Sequence, residues 1–254
     1  MQKGLKNKEL KLEDYKMSVY NALENRDYIL DLCVRMAHHS TAMEGNTLSQ
    51  DETASIILDN FLHLRASERE FYEVRNYRLV MPFFVESLKS KESLNSELIK
   101  EFHALIMKDL HDEAGHFKKL ENMVVGANFE PTKPYLVPTA MKDWCENLDY
   151  KLQNAKDSTE KLQAILESHI AFEKIHPFSD GNGRTGRLLI AYSCIENDLS
   201  PIIIPKDEKA RYISFLRGGN MQEFIVFAKS LQVVERQRME KFLQNTEINS
   251  QIVV

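Results

Sequence analysis

Along most of the chain apolar residues recur every three or four positions, the period of helices that bury one face. From Tyr15 the pattern runs through Val19, Leu23, Tyr28, Ile29, Leu32, Val34 and Met36 to about His39. Two later segments open with a serine answered three residues on by a glutamate, the reciprocal capping arrangement of a helix start. Ser49 and Glu52 lead into Ile56, Ile57 and Phe61; Ser67 and Glu70 lead into Phe71, Val74 and Tyr77, with Pro82 expected to kink or end that helix. Residues 93–110 predict a further amphipathic helix on Leu98, Ile99, Phe102, Leu105 and Ile106. Asp157-Ser158-Thr159-Glu160 caps another, with Leu162, Ile165, Leu166, Ile170 and Phe172 on its buried face. Leu188 to Tyr192 continue as a buried helix. A proline-bounded connector, Pro201 to Pro205, precedes a helix over 209–216 and a last one over 221–245. Only residues 115–138 break the pattern: short β-like runs between Gly and Pro predict a hairpin. The expected fold class is therefore mostly α with one β-hairpin.

Composition changes this picture little. A chain of 254 residues with 43% apolar positions can bury one sizeable core. Its net charge of −5 argues against a broad nucleic-acid footprint. Cys33, Cys145 and Cys194 are few and scattered, fitting small buried side chains in a reducing compartment better than a disulfide framework or zinc site. No apolar run approaches membrane-spanning length and the lysine-rich start lacks a signal-like core, so a cytoplasmic protein without a membrane partner is expected.

The chemistry concentrates in His176-Pro177-Phe178-Ser179-Asp180-Gly181-Asn182-Gly183-Arg184-Thr185-Gly186-Arg187. A glycine-rich bend that opens a helix aims free amides outward, and the helix dipole favours an anion there. Arg184 and Arg187, three apart, would share a face and clamp a polyphosphate. Asp180 beside two cations suits Mg²⁺, which takes one or two carboxylates together with substrate oxygens. His176, with a reference pKa near neutrality, suits a general base. Upstream, the first long helix stops at Gly45, an ordinary C-terminal signal. Glu44, in its last turn, has the wrong sign for the helix dipole. His38, His39, His103 and His169 read as packed residues, and Glu235, Arg236, Arg238, Glu240 and Lys241 as a solvated face of the last helix. Trp144 reads as the anchor of its helix.

The twelve-residue run is similar to the defining motif of the Fic family, H-x-F-x-[DE]-G-N-G-R-x-x-R, and agrees at every fixed position. The resemblance implies a helical Fic fold that transfers AMP from ATP to Tyr, Ser or Thr hydroxyls of a protein, itself included, with His176 as base and Mg²⁺ on Asp180. It implies an ATP site made by Val124, Val125 and Gly126, by Asp180, Gly181, Asn182, Gly183, Arg184, Thr185, Gly186 and Arg187, and by Tyr212 and Asn220, with Asn182 and the loop amides on the α-phosphate and the arginines on the outer two. Phe178 would face inward and fix the loop.

Residues 40–46 resemble the family's inhibitory motif, [ST]-x-x-x-E-[GN], through Ser40, Glu44 and Gly45, which implies that Glu44 pairs with Arg187 and obstructs the γ-phosphate. The hairpin resembles the Fic flap, whose edge docks the target protein; Lys118 stands where arginine is common and receives no role. The implied organisation is an N-terminal arm and helix (1–39), a Fic core (40–220) with its flap at 115–138, and a C-terminal helix and tail (221–254). Two alternatives stay open: removal of AMP from modified proteins at the same site, and a nucleotide-binding interaction module without turnover. A homodimer is also left open.

Overall fold

In a computed structural model, residues 18–61, 65–123 and 129–252 are described, the side chains beyond 244 excepted. Among them the chain forms ten α-helices: α1 (Val19–Ala22), α2 (Arg26–Met43), α3 (Gln50–Asp59), α4 (Glu68–Lys89), α5 (Ser96–Ile106), α6 (Val137–Asn154), α7 (Ser158–Ile175), α8 (Asn182–Glu196), α9 (Lys209–Leu216) and α10 (Met221–Ile252). The predicted capping boxes at Ser49/Glu52 and Ser67/Glu70 are both closed. At α7 only half of one forms: Asp157 accepts from the Thr159 and Glu160 amides, while the Glu160 carboxylate takes the Lys156 amide. Pro82 lies inside α4, which runs on for a further seven residues to Lys89.

α8 is the centre. From Arg184 to Ile195 every residue is buried. A helix buried all round has no polar face to spare, which explains why Leu188 to Tyr192 show no amphipathic period. Helices α2, α4, α5 and α7 pack around it. One hydrophobic core joins α1–α6 to α8 through residues such as Phe84, Phe102 and Tyr192; a second, on α7, α9 and α10, gathers Leu166, Tyr212, Phe215 and Phe224. Trp144 anchors α6 by donating its indole N–H to the Ser168 carbonyl at 2.7 Å.

Two sequence expectations need correction. The charged stripe of α10 is not uniformly solvated. Glu235 is 3% exposed; it accepts from Arg35 at 2.6 and 2.9 Å and from the Tyr28 hydroxyl at 2.7 Å. Arg238 is paired with Asp31. Helical periodicity shows which face a charge occupies but not that α2 will lie against it. The second concerns 115–138. The described residues there contain no strand: Pro134–Leu136 form a 3-10 turn and Val137 already opens α6. Residues 124–128 lie outside the described residues, and with them Val124, Val125 and Gly126.

Candidate active site at the start of the central helix

The bend between α7 and α8 is built on two left-handed residues. His176 caps α7 with φ 50° and Gly181 precedes α8 with φ 77°. Gly181 is required twice over, because a β-carbon there would meet the Met107 sulfur at 2.5 Å and His103 Nε2 at 3.2 Å. Phe178 is fully buried and stacks on the His103 ring at 3.7 Å. His103 Nδ1 accepts from the Gly115 amide, so Nε2 carries the proton and donates to the Asp180 carbonyl at 2.9 Å. Burial holds this imidazole at about 4, consistent with the neutral form. His103 therefore shapes the loop; a lone histidine on an amphipathic helix gave no sequence signal of that.

Asn182 also turns inward. Its side chain accepts from the Phe178 amide at 2.9 Å and donates to the Phe178 carbonyl at 2.8 Å. The amide expected on a phosphate is instead the clasp of its own loop. The loop is further tied from outside, by the Lys118 amide on the Pro177 carbonyl and Asn122 Nδ2 on the Phe178 carbonyl. Lys118 itself is buried, its ammonium on Asn122 at 2.7 Å.

His176 is half-buried, with Nδ1 3.3 Å from the Glu173 carbonyl. A carbonyl can only accept, so Nδ1 bears the proton and Nε2 keeps a free lone pair. Burial lowers its pKa to about 4; the Glu173 carbonyl opposes this and Lys118 adds to it. At neutral pH the ring is an unprotonated base.

The two arginines expected to work as one clamp have different partners. Arg184, 2% exposed, reaches Glu73 Oε1 and Asp180 Oδ1, each at 3.3 Å. Arg187 donates Nε to the Ser40 hydroxyl and Nη2 to the Ser40 carbonyl, both at 2.9 Å, and Nη2 to Glu44 Oε1 at 2.6 Å. Glu44 caps α2 and Gly45 follows at φ 105°. Burial would raise the Glu44 pKa, but the guanidinium outweighs it and the net shift is downward. The carboxylate lies against the first turn of α8: a β-carbon on Gly183 would come within 2.6 Å of Glu44 Oε1. That turn has no side-chain cap, so a negative charge misplaced at the end of α2 is well placed at the start of α8.

Asp180 is held by its Gly181 amide at 2.6 Å, by Arg184 and by Arg69 Nη2 at 3.1 Å. Burial pushes its pKa up, yet Arg184 and Arg69 bring it below the ordinary value. Arg69 and Glu73, on α4, escaped sequence reading because 111 residues separate them from the loop they hold. Thr185 is buried, and Gly186 faces His169 and Glu173 across a gap too small for a β-carbon.

A cleft of about 200 Å³ opens beside these groups, lined by Glu44, Glu173, His176, Gly183 and Arg187 together with Phe129, Tyr212, Ile213, Leu216 and Arg217. Tyr212 thus joins the site, its hydroxyl paired with His169 Nε2 at 2.7 Å. Asn220 does not line it; it is exposed and caps α10 by accepting from the Gln222 amide at 2.8 Å. The described residues hold no group of three or more His, Cys, Asp or Glu side chains suited to a metal.

A left-handed histidine, a glycine-opened buried helix and an arginine held from a distant helix meet at this loop. Residues 93–194 match the family model described as Fic/DOC family, and the chain carries a domain of that family. Among curated relatives it is similar to protein adenylyltransferase fic-1 of Caenorhabditis elegans, 31% identical over 198 residues, and to protein adenylyltransferase Fic of Drosophila melanogaster, 26% identical over 211. These matches cover 76% and 82% of this chain but 37% and 42% of the relatives, so the chain spans about two fifths of their length. Among solved structures, a Fic domain containing signaling protein from Bacteroides thetaiotaomicron VPI-5482 shares the fold at a TM-score of 0.76 and 19% identity, over 89% of this chain and 95% of that one. A Fic-1 fragment from C. elegans superimposes at 0.72 with 25% identity, over 88% and 70%.

Proposed function

We propose that the chain transfers AMP from ATP to a Tyr, Ser or Thr hydroxyl of a protein, itself included, and that Glu44 restrains it by occupying Arg187. The observation that carries this is the neutral, half-buried His176, its Nε2 free, in one cleft with Arg187 and the uncapped start of α8. The acceptor hydroxyl gives its proton to Nε2 as its oxygen forms a bond to the α-phosphorus. The bond from that phosphorus to the bridging oxygen breaks, and pyrophosphate leaves. The amides at the start of α8 hold the developing negative charge. Arg187, once free of Glu44, takes the outer phosphates, while Arg184 fixes Asp180.

Asp180 fits Mg²⁺ when the nucleotide supplies further oxygens: its side chain is 40% exposed, and Arg69, 60% exposed, can swing off it. When bound, Mg²⁺ neutralises phosphate charge. Residues 115–123, the described start of the expected flap at 115–138, are proposed to help present the acceptor segment; the ties from Lys118 and Asn122 to the motif loop support this.

The test is label transfer from α-³²P-ATP in the Glu44→Gly chain, with and without His176→Ala. Labelling should fall by at least about a hundredfold without the imidazole. Undiminished labelling would refute His176 as the base.

A further inference from the structure

Asp180 belongs to a closed ring of charged side chains. Arg69 donates Nε to Glu73 Oε1 and Nη2 to Asp180 Oδ2, each at 3.1 Å. Arg184 donates Nη1 to the same Glu73 oxygen and Nη2 to Asp180 Oδ1, each at 3.3 Å. Two cations thus alternate with two anions, and their charges cancel. The other oxygen of Glu73 accepts from Asn46 Nδ2 at 3.0 Å, so the carboxylate is fixed on both sides. No step of the proposed transfer uses Glu73.

Half of the ring is buried and half is open. The Glu73 side chain keeps 6% of its surface and Arg184 2%, against 40% for Asp180 and 60% for Arg69. A cation arriving from solvent therefore meets Asp180 and has to displace Arg69. That displacement does not strand Arg69, because Glu73 lies one turn along the same helix and keeps its Nε. Arg184 cannot swing away. Its Nε is sealed without a partner, and its other two nitrogens rely on Glu73 and Asp180. Once Asp180 turns to a metal, Glu73 is the carboxylate left to this guanidinium, and a buried charge without a counter-ion is costly. If Glu73 lost its charge, both guanidiniums would turn to Asp180 and compete with the incoming cation.

We propose that Glu73 is a positioning residue for the cation site: it holds Arg69 and Arg184 so that Asp180 can take Mg²⁺ together with the nucleotide. The proposal rests on the nucleotide reading above.

The test is titration calorimetry of ATP, in excess Mg²⁺ and in EDTA, on the full chain carrying Glu44→Gly and His176→Ala to free Arg187 and prevent turnover. The ratio of the two dissociation constants is the gain from Mg²⁺. The nucleotide is the same throughout, so differences in that gain between variants come from the protein. Adding Glu73→Gln should lower the gain about threefold, the scale of a partly exposed ion pair. Adding Arg69→Ala instead should raise it, and the two together should return it to within about twofold of the parent. A merely structural Glu73 would lower the melting temperature and leave the gain unchanged, a result that overturns the proposal. So does a lowered gain that Arg69→Ala fails to recover, or a parent that binds ATP equally with and without Mg²⁺. If Glu73→Gln alone does not fold, the double variant, which loses one charge of each sign, is compared with Arg69→Ala. A lower gain in the double supports the proposal, and an equal one overturns it. A parent that binds no ATP overturns the nucleotide reading, and the proposal with it.

Discussion

Replacing Glu44 with glycine removes the carboxylate that receives Arg187 Nη2 at 2.6 Å and leaves the guanidinium its two contacts to Ser40. A hydrogen bond between charged groups contributes about 1.5–3 kcal/mol when shielded. Arg187 is 10% exposed but Glu44 is 38% exposed, so solvent trims this to about 1–2 kcal/mol. If an incoming triphosphate must displace the pair, that energy separates the restrained and released proteins, a factor of about five to thirty. The assay is ATP affinity by calorimetry together with the initial rate of self-labelling from α-³²P-ATP. Both should rise by that factor in Glu44→Gly and by less in Glu44→Gln, which keeps the bulk and loses the charge. The lost contact should also lower the melting temperature by roughly 2–6 °C. The sign of the pH effect follows from the lowered Glu44 pKa. The contact contributes fully above the ordinary carboxylate value of 4.5 and is lost as pH falls through the lower folded-state value. Restraint should therefore not vary across the neutral range. Affinity and labelling in Glu44→Gly equal to the parent's would show that the phosphates do not compete for Arg187.

Because burial holds His176 at about 4, kcat/KM for transfer should stay flat as pH falls through 6.5 and drop only nearer 4; an acid limb at 6.5 would mean an exposed imidazole. Gly181→Ala combines a left-handed φ with contacts at 2.5 Å, and should cost about 1–3 kcal/mol of stability by urea unfolding; a loss below ~0.5 kcal/mol would contradict the packing of Met107 and His103 under the loop. Glu235→Ala removes the acceptor of the Tyr28 hydroxyl and of both terminal nitrogens of the buried Arg35, which keeps only Asp31, and a loss of about 3 kcal/mol is expected in the same assay. Arg69→Ala frees one oxygen of Asp180 and should lower the Mg²⁺ concentration needed for half-maximal ATP binding; an unchanged or higher requirement would mean that Arg69 does not compete with the ion.

The sequence by itself determined the helices and the loop. Periodicity and capping pairs are local properties, so α3, α4 and α7 could be located from their own residues, and the His176–Arg187 motif identified its family without any neighbour. What Glu44 faces came from the inhibitory-motif resemblance; its misfit at the end of α2 only raised the question. Partners across the fold were decided by tertiary structure alone. Nothing in the order of residues says that Asn182 folds back on Phe178, that Arg184 turns to Glu73 while Arg187 turns to Ser40, or that Glu235 meets Arg35 from 200 residues away. Each of these depends on which helix packs beside which, and a polar side chain shows its role only when the packing reveals what is left to pair with it. Glu173 is the clearest instance: an unremarked glutamate in a helix, until α8 packs against it and leaves one oxygen buried beside Gly186 and His169 without a partner.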